Sequence, residues 1–198
     1  MSDLFVDNIK HQSSQGSGTI TIGASGETVE IPSGVTLTNN GTASGFEGVF
    51  ESKLFHVRDE KASGVDGGTS SAGNNTRVLN TVVTNEISGA SLSSNQITLP
   101  AGTYFIQASA PAFKPGNHKV ILYNTTDTSN EVIGLSEYSG ATDSIQTTAM
   151  LCQRFTIAAT KVFELIHQIS TAKASNGLGA NYTPTINIYA NVMIWKVA

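Results

Sequence analysis

The feature that most constrains this chain is a succession of short segments in which apolar and polar residues alternate, each closed by a turn rich in Gly, Ser, Asn or Pro. Alternation of period two sends successive side chains to opposite faces of an extended strand, and turn residues between the runs reverse the chain. The pattern predicts strands over residues 53–59, 76–83, 96–99, 102–110, 118–123, 131–135, 144–157, 162–171 and 185–197. Loops rich in Gly, Ser, Asn and Asp separate them, most clearly at 64–75 and 172–181. With many strands and no amphipathic stretch of helical period, the expected fold is all-β, an antiparallel sandwich or jelly roll over residues 49–198.

The first fifty residues read differently. TITI (19–22), ETVEI (27–31) and VTLT (35–38) alternate but are short and sparsely apolar, and a lone small hairpin is marginal in water. Such a segment is either disordered or buried against copies of itself and its neighbours. Phe46, bracketed by Gly45 and Gly48, is the expected hinge, dividing an extended β arm or stalk (1–48) from the head (49–198). Leu4, Phe5, Val6 and Ile9 are the apolar residues with which the arm would anchor.

Two late strands are apolar on both faces. In 185–197, Ile186, Ile188, Ala190, Val192 and Ile194 alternate with Tyr189, Met193, Trp195 and Val197; in 162–171, Phe163, Leu165, His167 and Ile169 oppose Val162, Glu164, Ile166 and Gln168. A sandwich strand in a monomer needs one apolar face. A second implies another layer, most simply a neighbouring subunit. Tyr104, Phe163, Leu165, His167, Tyr189, Met193 and Trp195 are accordingly expected in the core or a subunit interface.

Charge and motif content narrow the function. Only 13% of residues are charged, against about 25% in an average soluble protein, so the surface is polar through Ser, Thr, Asn and Gln. A formal net charge of -4 argues against nucleic acid, which needs clustered Lys and Arg. No apolar run approaches the length of a membrane helix, and Met1-Ser2-Asp3-Leu4 lacks the start of a signal peptide. The single cysteine, Cys152, excludes an internal disulfide and, within an apolar strand-like run, is expected to be a small buried hydrophobe. His11, His56, His118 and His167 lack zinc-motif spacing, and no nucleophile elbow, P-loop or dinucleotide fingerprint is present. Asp59-Glu60, flanked by Arg58 and Lys61, reads as a solvated strand end. Neither an active site nor a cofactor is expected. Lys114, His118 and Lys119 form a positive cluster around Pro115-Gly116-Asn117 that would meet an acidic glycan or simply be an exposed turn. Tyr138, beside a turn, is either a ligand contact or strand-end packing.

The ordered set RVLNTVVTNE, ITLPAGTYFIQASAPAF, KVFELIHQIST and INIYANVMIWKV resembles the C1q/TNF-like jelly roll, in particular the variants at the tips of bacteriophage fibres. Its most characteristic step is Leu99-Pro100-x-Gly102-x-Tyr104, with Asn80 or Asn85 after an earlier strand. Pro100 and Gly102 make a turn from which Tyr104 enters the next strand facing inward. The N-terminal ITIGASGETVEIPSGVTLTNNGTASGF resembles leader segments of phage structural proteins; the 64–75 loop departs from the pattern. The resemblance implies a homotrimer that acts by binding. The expectation is a virion protein, a trimeric fibre or spike subunit held to other virion proteins by its arm and meeting a host surface glycan or protein through its head. A capsid decoration protein and a soluble C1q-like binding module are the alternatives.

Overall fold

The computed structural model describes residues 53–197 except Ala141, together with Thr28, Ser33, Gly34 and Thr36 singly. The expected arm and stalk, the Phe46 hinge and the anchor residues Leu4, Phe5, Val6 and Ile9 lie outside the described residues.

Alternating runs become strands where their apolar face meets another. The strands are β1 (Lys53–Lys61), β2 (Gly73–Thr76), β3 (Thr81–Asn85), β4 (Ser91–Ser93), β5 (Gln96–Leu99), β6 (Gly102–Phe113), β7 (Gly116–Asn124), β8 (Ser129–Ile133), β9 (Glu137–Ser139), β10 (Gln146–Ile157), β11 (Lys161–Ile169) and β12 (Asn187–Lys196). They form two antiparallel sheets. One has the order β10-β6-β12-β1-β3; the other runs β4-β5-β11-β7-β8, with β2 added on β11 and β9 on β7. The pairing is nested: β1 with β12, β5 with β11, β6 with β10 and β7 with β8. A long hairpin wound over itself in this way is a jelly roll.

The inner faces close on a main core that includes Phe55, Val57, Ile97, Leu99, Tyr104, Ile106, Val120, Leu122, Leu151, Phe163, Leu165, Val192 and Ile194, with a smaller cluster of Ala112, Ile169 and Leu178. Burying a side chain of this size contributes roughly 1.5–3 kcal/mol. Tyr104 enters β6 inward, stacks on Phe155 at 5.6 Å, and donates its hydroxyl to Pro100 O at 2.7 Å. The Pro-x-Gly-x-Tyr step therefore closes on itself.

Four sequence expectations fail, each for a local reason. Cys152 is exposed, because β10 alternates strictly and Leu151 and Phe155 take the inner positions. Tyr189 is buried with Ala190, Val192 and Ile194 rather than sharing a face with Met193 and Trp195. Its partner strand explains this: Asp59 pairs with Ala190 and Glu60 with Ile188, leaving Tyr189 as the extra residue of a bulge. A bulge resets the alternation, so Asn187 is buried and Ile186 exposed. Asp59 is buried as well, since the strand continues to Lys61 and Asp59 keeps the inward phase of Phe55 and Val57. Finally, His118 is buried instead of lying on an exposed turn, because β7 already begins at Gly116.

Candidate functional site

Two surfaces of the sandwich carry organised chemistry. The first is on the outer face of the second sheet, at the end where β2, β11, β7 and β9 meet. Register places Asn74 opposite Gln168 and Gln168 opposite Lys119, so the three side chains form one row across three strands. The next row runs from Ser170, whose amide donates to Asn117 O at 2.9 Å, through Asn117 to Tyr138 directly opposite it. Between these rows lies a cleft of about 450 Å³ lined by Gly73, Asn74, Asn117, His118, Lys119, Ser136, Gln168, Ile169 and Ser170. Tyr138, 68% exposed, stands on the same face at its rim.

Beneath the cleft sits a buried polar chain. His118 Nδ1 lies 2.8 Å from His167 Nε2, and His118 Nε2 lies 2.8 Å from Thr147 Oγ1. The rings are tilted by 37° with centroids 5.1 Å apart. His167 Nδ1 is buried without a partner. Burial first, then the Arg77 and His118 charges, depress its pKa to about 2; burial also lowers His118, opposed by Glu137 across the β7–β9 pair. Both imidazoles are neutral at physiological pH. Arg77 is fully buried, donates to Leu178 O at 2.9 Å and to Tyr189 O, and is lowered to about 10 by burial while Asp59 opposes that shift. It stays charged and ties the 172–181 loop to β12.

The second surface is the outer face of the first sheet. Register aligns Leu54, Trp195, Phe105 and Arg154 in one row, His56, Met193, Gln107 and Cys152 in the next, and Arg58, Asn191, Ser109 and Met150 in a third. Phe105 and Trp195 make a tilted aromatic pair with centroids 6.1 Å apart, yet Phe105 remains 37% exposed. His56 Nε2 lies 2.6 Å from Asn191 Oδ1, fixing the middle of this face. At the edge where the two sheets meet, Leu135, 69% exposed, donates its amide to Met150 O at 2.9 Å, and Ile133, paired with Ile121 of the second sheet, is 56% exposed.

The expected residues divide accordingly. Tyr104, Phe163, Leu165, His167 and Tyr189 belong to the core, while Met193 and Trp195 stand half-buried on the outer face of β12. Of the polar candidates, Lys119 and His118 line the cleft and Tyr138 borders it. Lys114 is not among its lining residues; its Nζ donates to Thr142 O at 3.2 Å and lies 5.5 Å from the Phe113 ring centroid. Sequence reading missed Asn74, Asn117 and Gln168. Asn117 and Gln168 are outward polar residues in strands whose inward positions are apolar, whereas Asn74 lies in a strand with no apolar alternation to mark it. Among the described residues no three His, Cys, Asp or Glu side chains converge as a metal would require.

No protein-family model matches the chain, and no curated protein matches it in sequence. Among solved structures, murine APRIL at pH 5.0 is similar at a TM-score of 0.48 and 8% identity, covering 74% of this chain and 99% of that one. The globular domain of zebrafish complement 1qA protein is similar at a TM-score of 0.44 and 13% identity, covering 75% of this chain and 98% of that one.

Proposed function

We propose that the chain is a non-catalytic structural protein of a bacteriophage particle, a homotrimeric fibre or spike subunit attached through residues 1–48, with the jelly roll facing outward to bind the host surface. The observation that carries self-assembly is the outer face of the first sheet, where Leu54, Trp195, Phe105 and Met193 leave apolar surface in water. A second copy is the fitting occupant. Ile133 and Leu135 form an apolar edge distinct from the Phe105–Trp195 face, and contact between two different patches of one chain is heterologous, closing into a ring when the rotation permits. Three copies would bury each face against a neighbour's edge. The C1q/TNF-like motif order favours the same threefold arrangement. A virion location rests on the likeness of the motifs to phage fibre tips and on a surface rich in Ser, Thr and Asn.

Immunogold labelling of purified particles tests the location. Label at the tail is expected. Head-only label would make the protein a capsid decoration subunit, and absence of the chain from purified particles by mass spectrometry would leave a soluble binding module.

A further inference from the structure

The cleft on the second sheet is not needed for self-assembly, and its chemistry is specific. It offers three carboxamides (Asn74, Asn117 and Gln168), one ammonium (Lys119) and, beside Asn117 on the same face, the exposed Tyr138 ring, while the Ser170 hydroxyl is spent on Pro115 O and the Asn117 amide. Carboxamides both donate and accept, so side by side they match vicinal hydroxyls. An exposed aromatic ring supplies a flat amphipathic surface. Lys119 adds one point charge. The nearest carboxylate by register, Glu137, pairs with His118 and so takes the opposite phase from Tyr138.

A polyphosphate or nucleic acid would require several convergent cations. A neutral apolar ligand would leave the amides unpaired at a cost. We infer that this cleft binds an acidic saccharide, a hexose unit whose hydroxyls meet Asn74, Asn117 and Gln168, whose carboxylate meets Lys119 and whose ring lies against Tyr138. The inference names a ligand class for the outward surface but does not depend on the trimer, because one chain contributes every residue.

The test is saturation-transfer NMR on the full chain with three probes: 3′-sialyllactose, a trigalacturonate and neutral lactose. Transfer to at least one acidic probe is expected at a few millimolar, in the range of a Kd near ~1 mM. Lactose is expected to bind about tenfold more weakly, as loss of one charge-assisted hydrogen bond implies. Lys119→Ala and Tyr138→Ala should each weaken the acidic probe by about tenfold, Lys119→Arg should retain it, and all three should keep the far-UV spectrum of the parent. Silence with both acidic probes, equal binding of lactose, or unaltered binding by both alanine variants overturns the inference. Sedimentation of the same samples reads oligomeric state separately, so a monomer that still binds the acidic probe removes the trimer and leaves the cleft.

Discussion

Inside the sandwich, His118 Nδ1 and His167 Nε2 lie 2.8 Å apart, with His118 held on its far side by Thr147 Oγ1. Two imidazoles in this geometry share one hydrogen between them, and adding a proton places charge beside Arg77. Glu137 faces His118 across the β7–β9 pair, while Arg77 is the charged group acting on His167.

Acid should therefore destabilise the fold. Both histidines have folded pKa values below the unfolded value of about 6.5. The unfolded chain takes up protons that the folded chain refuses, so their contribution is complete above that value and is lost as pH falls below it. From about pH 7.5 to pH 5, His167 alone should remove about 2 kcal/mol. Urea unfolding at the two pH values measures this. A His167→Gln variant should show a smaller pH dependence than the parent, and an identical dependence would refute the assignment.

How much of this was legible in the sequence depended on phase. The 96–99 strand and the Pro100–Tyr104 step were readable because their apolar positions are few and their turn is fixed by Pro100 and Gly102. Cys152 was misplaced since its neighbours Met150 and Leu151 are both apolar, and composition cannot say which of them points inward. Tyr189 was assigned the wrong face because the bulge opposite Asp59 and Glu60 is a property of the pairing, invisible along one strand. The short strands β2, β4 and β9, with sequences GNNT, SLS and EYS, carry almost no apolar alternation and form through neighbours brought by topology. The cleft was only partly foreseen: Lys119 and Tyr138 stood out by type, whereas Asn74 and Gln168 lie 94 residues apart and meet only through the β2–β11 register.

Arg77 is expected to be a principal polar support of the head. Arg77→Met should cost roughly 2–3 kcal/mol, because it leaves the buried Leu178 and Tyr189 carbonyls without their donor. Adding Asp59→Asn should recover part of the loss, since the two charges interact and their effects are not additive. Chemical denaturation of the four forms completes the cycle; strict additivity would show that the two charges act independently.

Cys152 reports on the assembled face. Its thiol is exposed in one chain and lies in the row with His56, Met193 and Gln107. If that face packs against a neighbour, a maleimide should label it slowly in the native protein and at least about tenfold faster in a Trp195→Glu variant that cannot pack, as expected for a desolvated aromatic contact. Equal rates would mean that the face is open to solvent.

The most direct measurement is the mass of the protein in solution by light scattering coupled to gel filtration, for the parent and for Trp195→Glu. The parent is expected at three chains of 20.7 kDa each, with the variant shifted toward one. A parent that elutes at the mass of a single chain, unchanged by Trp195→Glu, would contradict assembly through the Phe105–Trp195 face.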